Sequence, residues 1–444
     1  MAENFDARWF ASRLGNPTRR GIAQETAALV RTGALPVGTK LPTVRDLAYA
    51  LRISPATLSH AWADLRRHKI ISGRGRHGSF VTGNSFSPRP ERLMGGIVQG
   101  KGIRNLARAV PDISLLPDLG AALAHGAQAA GLNSYDRTRI LPELEAAARR
   151  FWPYDAGAML AIDGGYSAIY TLLHALVPPS GPVAIEDPTG LRLLDILEDL
   201  NVPILPVASD REGPLPEALA AALRHKPAMF IFQPRVHAVT SALMPAARLE
   251  ALGDVLKDSD MLIVEDDGIG DVSDAPHRSL GNRFPDRVIH VLSFSKSLGP
   301  DLRLGVLSAS AVIVEQIQSF RGFSAGWTSR ILQATGAWLL GQPDTAVALA
   351  RARAAYRERR AALVTELVRL GIAVEPGEGL CLFVPVNDSA ACALRLQVAG
   401  IAVEAGDKFS LGPLNAIRVA IGCLDPRDAP AVAKAIADAN KADS

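Results

Sequence analysis

Residues 288–305 read VIHVLSFSKSLGPDLRLG, and this stretch carries the clearest indication of the fold. Its first five residues are apolar apart from one histidine, a run that is typical of a buried strand. Polar groups and two glycines follow this strand, at Ser293, Ser295, Lys296, Gly299, Arg303 and Gly305. A lysine after a strand commonly extends to solvent, so Lys296 alone indicates no site. The hydroxyls and the guanidinium beside it do indicate one, because such groups bind phosphate.

Two further polar clusters follow apolar runs elsewhere in the chain. The run MLIVEDD ends in three carboxylates that include Asp266. The run DGGYSA places Gly164 and Gly165 before a helix, whose free N–H groups would face an anion. Open α/β sheets bind ligands outside the carboxyl ends of their strands, so we expect the three clusters to form one site. An amine, an anion-binding loop and a carboxylate are the groups that pyridoxal phosphate requires.

Short apolar runs alternate with helical stretches through the middle of the chain. The runs are MLAI, PVAIED, VPILPVA, AMFIFQP, MLIVEDD and RVIHVLSFSK. This alternation predicts an α/β fold with a mainly parallel sheet that is covered by helices on both faces. The last runs, CLFVPV, IAVEAGD and AIRVAIG, predict a smaller C-terminal α+β lobe from about residue 350.

The charge of the chain is unevenly distributed. The 444 residues carry a formal charge of +3, but residues 1–83 contain 13 Lys and Arg against 5 Asp and Glu, a net +8. The other 361 residues therefore carry −5. Residues 83–106, GNSFSPRPERLMGGIVQGKGIRNL, are rich in Gly, Ser and Pro and predict a linker. We therefore expect domains at residues 1–82 and 107–444, of which the basic one is suited to a polyanion.

The basic segment has the pattern of a winged helix-turn-helix. A helix spans about residues 20–31, a short helix follows the cap Thr43, and a third begins at Ser54 and Pro55. In the third helix the pattern turns Leu58, Ala61, Trp62 and Leu65 inward and Thr57, Ser59, His60 and Asp64 outward. The β-rich segments KIIS and SFV then flank GRGRHG, which predicts a hairpin, the wing.

This arrangement places the third helix in the major groove of duplex DNA. We expect base contacts from Ser54, Thr57, Ser59 and His60, and phosphate contacts from Arg45, Arg74 and Arg76. The alternative is a small helical domain whose charged face only keeps it soluble. Two helices, a wing and a net charge of +8 coincide here, which favours DNA binding.

The cysteine content and the absence of membrane signals indicate the cellular compartment. The three cysteines, Cys381, Cys392 and Cys423, have no CxxC spacing and an odd count, which argues against a disulfide framework or a zinc site, and we expect no metal. The amino terminus carries acids and lacks an apolar core segment, and no apolar run approaches the roughly 18 residues that span a bilayer. We therefore expect a cytoplasmic protein.

Two family resemblances follow from these motifs. Residues 33–81 are similar throughout to the GntR-type winged helix-turn-helix, and residues 107–444 resemble the fold-type I, class I aminotransferases, most specifically in SFSKSLGPDLRLG. The second resemblance implies that Lys296 forms a Schiff base with pyridoxal phosphate and that Asp266 pairs with the pyridine nitrogen. It implies phosphate contacts from Gly165, Tyr166, Ser293, Ser295 and Arg303. It also implies that Tyr135 reaches the partner subunit's phosphate and that Arg418 binds a substrate α-carboxylate.

Three departures from the aminotransferase pattern lie around the cofactor. Gly190, in EDPTG, stands where the family has an aromatic ring stacked on the cofactor, and Gly268 and Ile269 replace a tyrosine. His237 stands where an Asn or Gln meets the phenolic oxygen of the cofactor. It can form that hydrogen bond, or it can be a structural histidine. These changes should weaken the binding of the cofactor but leave its covalent attachment to Lys296 in place. We therefore expect no efficient transamination.

The order of the two resemblances is that of the MocR/GabR-type subfamily of GntR regulators. It implies a homodimeric, DNA-binding transcription regulator in which an amine effector exchanges with the aldimine at Lys296 and Arg418 reads its carboxylate. One alternative is a working aminotransferase with a DNA-binding appendage, which would be expected to keep the aromatic residues lost at Gly190 and Gly268. Another is a regulator with a cofactor-free, degenerate domain, against which the joint presence of Lys296, Asp266 and Arg303 argues.

Overall fold

The computed structural model describes residues 5–73, 78–82, 90–94, 102–179 and 181–441. The chain divides into two compact units, Met1–Arg89 and Pro90–Ser444. The division lies inside the predicted linker of residues 83–106. The later part of that segment belongs to the larger unit, because Arg104–Asn105 pairs as a parallel strand with Ile401–Ala402.

The first unit contains four helices and an antiparallel hairpin within its described residues. The elements are α1 (Ala7–Ala11), α2 (Arg19–Arg31), α3 (Val44–Leu51), α4 (Pro55–Arg67), β1 (Ile71–Gly73) and β2 (Ser79–Val81). The predicted caps are present: the Thr43 hydroxyl accepts from the backbone N–H of Asp46, and the Ser54 hydroxyl accepts from that of Thr57. Helix α1 was not predicted, and its Phe10 packs edge-on against Trp62 in the core.

One face of helix α4 differs from the prediction. Leu58, Ala61, Trp62 and Leu65 are buried as expected. Asp64, predicted to face outward, is only 9% exposed, because α4 packs against α2 there and the Asp64 carboxylate accepts two 2.7 Å hydrogen bonds from Arg19. The carboxylate is thus one half of a bidentate ion pair that joins the two helices.

The larger unit alternates strands and helices as its sequence predicts. Its first part contains α5 (Glu91–Met94), β3 (Arg104–Asn105), α6 (Gly120–Gly126), α7 (Pro142–Arg149), β4 (Ala158–Ile162), α8 (Gly165–Leu176), β5 (Val183–Asp187), α9 (Leu191–Asp199), β6 (Ile204–Asp210), β7 (Gly213–Pro214), α10 (Pro216–Leu223), β8 (Met229–Phe232), α11 (Ala246–Leu256), β9 (Leu262–Asp267), β10 (Val288–Ser293) and β11 (Gly305–Ala309). Its second part contains α12 (Ala311–Arg321), α13 (Arg330–Gly341), α14 (Pro343–Arg369), β12 (Cys381–Pro385), α15 (Ser389–Val398), β13 (Ile401–Ala402), β14 (Glu404–Ala405), β15 (Ala416–Ala420) and α16 (Ala429–Asn440).

An eight-stranded sheet in the order β4-β11-β10-β9-β8-β5-β6-β7 forms the centre of this unit. Strands β10, β9, β8, β5 and β6 run parallel, and β11 lies antiparallel between β10 and β4. The central strands β8 and β10 are buried along their whole length. This confirms the predicted α/β class, and it brings the carboxyl ends of the parallel strands to one edge.

A smaller lobe contains the antiparallel sheet β12-β15-β14. Its core is formed by residues of these strands with α14 and α16, among them Tyr356, Leu363, Val419 and Ile436. Among the described helices, none combines the length and apolarity that crossing a membrane requires.

Candidate cofactor and effector site

The three sequence clusters meet at the carboxyl edge of the sheet. Strands β9 and β10 pair in parallel, with Asp266 of β9 opposite Val291 of β10. Ser293, two residues after Val291, therefore lies at the same end of the sheet as Asp266. A Cβ built on Gly165 would lie 3.5 Å from the Ser293 Cβ and 3.6 Å from the Asp266 Oδ1. The absence of a side chain at Gly165 therefore leaves this space open between the two strands and helix α8.

Arg303 lies on the other side of the same space, next to Asp163 and Gly164. It has a left-handed backbone with φ of 46°, and its Nη2 donates to the Asp163 carbonyl at 2.8 Å. A Cβ on Gly164, whose φ is 93°, would lie 3.3 Å from that nitrogen. The Ser293 hydroxyl donates to the Ser295 hydroxyl at 3.2 Å. A guanidinium, two hydroxyls and the start of a helix thus converge on one small region, which suits a phosphate.

The Lys296 amine is held inside the site. Its Nζ donates to the Ala109 carbonyl at 2.7 Å. Burial, and then the positive charges of Arg418 and Arg192, lower the pKa of Lys296 to about 8, although Cys381 acts in the opposite direction. An appreciable fraction of this amine is therefore neutral near neutral pH, which is the form that attacks an aldehyde.

The pKa of the Asp266 carboxyl is shifted in the opposite direction, upward. Burial, followed by the negative charges of Asp267 and Glu186, raises the pKa of Asp266 to about 7, while His290 and His237 lower it. A protonated ring nitrogen placed against this carboxyl would favour its ionised form.

His237 has a structural role through one ring nitrogen, and its other ring nitrogen is left without a hydrogen-bond partner among the described residues. Its Nδ1 accepts from the backbone N–H of Thr240 at 3.0 Å, which stabilises the turn and places the hydrogen of a neutral ring on Nε2. That Nε2 is buried without a hydrogen-bond partner among the described residues and lies 3.5 Å from the Glu186 carboxylate. The second nitrogen is thus available to a ligand oxygen.

The space beside Gly190 is taken by a different aromatic residue. A Cβ at residue 190 would overlap the hydroxyl oxygen of Tyr166, which is the second residue of α8. Burial and the Asp266 charge raise the pKa of Tyr166 above its ordinary value, so its hydroxyl is protonated at neutral pH. At the second departure, a Cβ on Gly268 would lie 3.4 Å from the Asp266 Oδ1.

Arg418 is not a surface arginine at a strand end. Its Nη2 donates to the Ala107 carbonyl at 2.6 Å, and its guanidinium carbon lies 4.5 Å from the centre of the Phe409 ring. Its Nε is buried without a hydrogen-bond partner in the described part of the chain. A buried, unsatisfied N–H of this kind is costly, so a bound carboxylate would stabilise it.

One predicted cofactor residue lies outside this cluster. Tyr135 is 89% exposed, and its ring lies 6.1 Å from that of Trp327. Sequence reasoning also missed Arg192, whose charge acts on both Lys296 and Tyr166. Its place two residues after the altered position in EDPTGLR was a signal that could have identified it.

These residues fit pyridoxal phosphate. Lys296 would supply the amine, and Asp266 would supply the carboxylate for the ring nitrogen. Gly164, Gly165 and Arg303 would border the space for the phosphate, which a Cβ at Gly164 would narrow. Nε2 of His237, which has no hydrogen-bond partner among the described residues, would add a donor.

The candidate DNA-contacting residues are placed on the first unit. Arg45, Ser54, Ser59 and His60 are exposed, and Thr57 is partly buried. The Ser54 hydroxyl lies 2.8 Å from that of Thr57, so both take part in capping α4. Arg74 and Arg76 lie outside the described residues.

Known protein families match both parts of the chain. The family model for aminotransferase class I and II matches residues 102–436, and that for bacterial regulatory proteins of the gntR family matches residues 18–81. A kynurenine aminotransferase from Pyrococcus horikoshii has a similar structure, with a TM-score of 0.72 and 20% identity over 80% of this chain and 96% of that chain.

Two relatives match this chain over most of its length. The vitamin B6 salvage pathway transcriptional repressor PtsJ of Salmonella typhimurium is 30% identical over 400 residues, which cover 88% of this chain and 91% of that protein. The helix-turn-helix transcriptional regulator TauR of Rhodobacter capsulatus is 27% identical over 428 residues, which cover 86% and 87% of the two chains.

Proposed function

The chain belongs to the aminotransferase class I and II family, here joined to a gntR-family DNA-binding domain, and from this premise we propose how the two parts act together. It is a transcription regulator with an aminotransferase-like domain, an organisation consistent with the MocR type. The family implies pyridoxal phosphate as cofactor. The larger unit would use it to sense a small amino compound, and the basic unit would bind duplex DNA.

The environment of Lys296 is the observation that carries this proposal. An amine with a pKa lowered to about 8 lies in the same site as a buried carboxyl and a guanidinium-lined corner. When bound, pyridoxal phosphate supplies an aldehyde carbon that condenses reversibly with amines. Lys296 would anchor that carbon, and Asp266 would hold a proton on the ring nitrogen.

The remaining residues hold the two anionic groups. Ser293, Ser295, Arg303 and the N–H groups of Gly165 and Tyr166 would bind the phosphate. Arg418 would bind the effector carboxylate through its Nε–H, which has no partner among the described residues, and His237 would donate to the phenolic oxygen. A carboxylate that also accepted from Nη2 of Arg418 would compete with the Ala107 carbonyl, so ligand binding would act on the segment that follows the linker.

Sensing is favoured over turnover by the residues around the cofactor. Gly190 and Gly268 provide no ring to stack on it, and Tyr166 fills the space beside Gly190. We therefore expect no efficient steady-state transamination. The effector would act through its different affinity for two conformations of the regulator.

A second copy of the chain would complete the site. Tyr135 is 89% exposed, so its side chain is accessible to a second subunit. In a homodimer Tyr135 would reach the other subunit's phosphate. Two basic units would bind two half-sites in the cytoplasm, with Ser54, Thr57, Ser59 and His60 near base edges and Arg45, Arg74 and Arg76 at phosphates.

The test is a spectroscopic measurement with a matched lysine control. The protein loaded with pyridoxal phosphate should show a visible absorption band. Borohydride should reduce the C=N bond, remove this band and leave the cofactor covalently attached to Lys296, and amino acids should shift both the band and the DNA affinity. The variant Lys296→Ala should lose the band, whereas Lys257→Ala, at an exposed lysine, should keep it. No band, or an unchanged band in Lys296→Ala, would refute the proposal. Appreciable amino-group transfer at steady state would instead favour the enzyme.

A second candidate function is that pyridoxal phosphate itself is the signal. The name of the Salmonella relative, a repressor of the vitamin B6 salvage pathway, favours it. A site without its stacking ring would also bind the cofactor less tightly and so respond to its concentration. DNA affinity titrated with pyridoxal phosphate in the absence of amino acids separates the two candidates, because only this one predicts a change.

A further inference from the structure

Helix α5 fixes to the larger unit the segment that leads out of the basic unit. This helix begins two residues after Arg89, where the basic unit ends. The Asp195 carboxylate on α9 accepts hydrogen bonds from the backbone N–H groups of Arg92 and Leu93, both at 3.0 Å. Asp195 is only 8% exposed, and hydrogen bonds to a charged acceptor that water hardly reaches are strong.

The Arg92 side chain extends this attachment to a second element. Its guanidinium forms an ion pair with the Glu198 carboxylate, which is also on α9. Its Nη1 donates to the Lys408 carbonyl at 3.4 Å, in the 3-10 helix Gly406–Phe409. Helix α5 is therefore held at two places, on α9 and on this 3-10 helix. We call the contacts of Arg92 and Leu93 with these two elements the α5 attachment.

Both elements that hold α5 also support the effector site. Phe409 follows Lys408 directly, and the Arg418 guanidinium carbon lies 4.5 Å from the centre of its ring. Phe409 also packs against Leu191 at the start of α9, and its carbonyl accepts from the backbone N–H of Thr189 at 2.8 Å. A displacement of the Arg418 guanidinium therefore changes the packing of a ring that adjoins one support of α5 and contacts the other.

The chain beyond α5 returns to the same arginine. After strand β3 has paired with β13, the Ala107 carbonyl accepts from Nη2 of Arg418 at 2.6 Å. Arg418 is thus connected to both ends of this segment, to Ala107 directly and to Arg92 through Phe409 and Lys408.

We propose that the α5 attachment is the element through which a ligand in the effector site changes the affinity of the basic unit for DNA. The proposal rests on the proposed function, in which Arg418 binds the carboxylate of an amino compound. That carboxylate draws the guanidinium away from the Phe409 ring and the Ala107 carbonyl. The packing of the 3-10 helix against α9 then changes, and Arg92 loses its contacts. A ligand that binds the detached state more tightly shifts the protein towards it.

The first experiment measures the two backbone hydrogen bonds themselves and needs no ligand. In the full chain without cofactor, Asp195→Asn should speed hydrogen exchange at the N–H groups of Arg92 and Leu93 about 10-fold or more, because a charged acceptor is lost. Mass spectrometry of the peptide that contains them gives the rate. Asp199→Asn, at an exposed acid of the same helix, is the matched control and should leave the rate unchanged.

The same exchange rate reports whether Arg418 acts on α5. Arg418→Gln should speed it, and in the Asp195→Asn background the same change should add little, because the attachment is already broken. Effects of the two substitutions that multiply independently would overturn the proposal, as would an unchanged rate in Arg418→Gln.

The second experiment measures transmission to DNA. The full chain loaded with pyridoxal phosphate is titrated with a mixture of the common L-amino acids other than cysteine, and the absorption band and the affinity for a duplex selected for binding are both followed. The unchanged protein should respond in both. Arg92→Gln should keep the response of the band but bring the ratio of DNA affinities with and without amino acids to about one. Arg369→Gln, which removes a comparable exposed pair with Glu366 on α14, is the control and should keep both responses.

The outcomes separate this inference from the proposed function. A retained response of DNA affinity in Arg92→Gln would overturn the role of the α5 attachment, and so would a band that responds in the unchanged protein without any change of DNA affinity. A band that responds to no amino acid would refute amine sensing, and the exchange rates, which need no ligand, would then decide whether Arg418 acts on α5.

Discussion

Replacing Asp266 with Asn tests the electrostatics of the site most directly. The carboxyl lies between strands β8 and β10, where burial and the charges of Asp267 and Glu186 raise its pKa from an ordinary 3.8 to about 7. Well below pH 3.8, Asp266 is protonated in the folded and the unfolded chain alike and costs no stability. Between pH 4 and 7 the unfolded chain loses the proton while the folded chain keeps it, so the cofactor-free protein loses stability as the pH rises.

The magnitude follows from the size of this shift. A difference of about three units corresponds to a ceiling of about 4 kcal/mol, reached above pH 7. Asn carries no charge at any pH, so the cofactor-free Asp266→Asn variant should gain in relative stability as the pH rises. The difference from the unchanged protein should shrink as the pH falls and vanish well below pH 3.8.

Binding of the cofactor should reverse which of the two proteins, unchanged or Asp266→Asn, is the more stable. A protonated ring nitrogen pairs with ionised Asp266 but not with Asn, so the unchanged protein should bind pyridoxal phosphate more tightly as the pH rises through 7, and the variant should lack this dependence. Urea unfolding at pH 4.5 to 8.5, with and without the cofactor, measures both effects. Asp258→Asn, at an exposed carboxylate, is the control. An unchanged pH slope of stability in cofactor-free Asp266→Asn would refute the reasoning.

Three further substitutions test other parts of the molecule. Arg45→Ala should weaken binding to all DNA sequences about equally and lower the slope of affinity against salt concentration by about one, because one phosphate contact is lost; an effect on one sequence only would make it a base contact. Gly190→Ala should reduce the free energy of unfolding by about 1–3 kcal/mol through overlap with Tyr166, and Tyr166→Ala should relieve it, while Gly412→Ala, with open space around it, should have little effect. Asp64→Ala should lower the melting temperature of the first unit, because it removes the carboxylate that joins α2 to α4, and no change would mean that the pair contributes nothing.

Local sequence patterns were sufficient to predict the helices and strands and the polar side chains that come directly after a strand. Strand β10 ends in Ser293 and Lys296 follows it, and both facts are local, so the chemistry of that edge was readable. The cap at Ser54 was readable for the same reason, because its partner Thr57 is three residues away. Asp64 was misread because its partner on α2 is 45 residues distant and helical periodicity carries no information about it.

The site around Gly190 shows the same limit more strongly. The sequence reveals that an aromatic ring is missing after EDPT, and nothing near it in the chain reveals what fills the space. Tyr166, 24 residues earlier, does so only because α8 and the loop after β5 begin at the same edge of the sheet. The placing of Arg192 on that ring is a consequence of the same packing.

The sequence by itself determined the class of the protein: a basic winged helix-turn-helix, an α/β domain, and a lysine, a carboxylate and an anion-binding loop at strand ends. These features depend on periodicity and on residues adjacent in the chain. The tertiary structure alone decided which charges act on Lys296 and Asp266 and where Arg192 lies. It also decided which nitrogen atoms of His237 and Arg418 have no partner within the described part of the chain. The physical reason is that pKa values and unsatisfied donors depend on burial and on neighbours within a few ångströms, and folding brings those neighbours from distant parts of the chain.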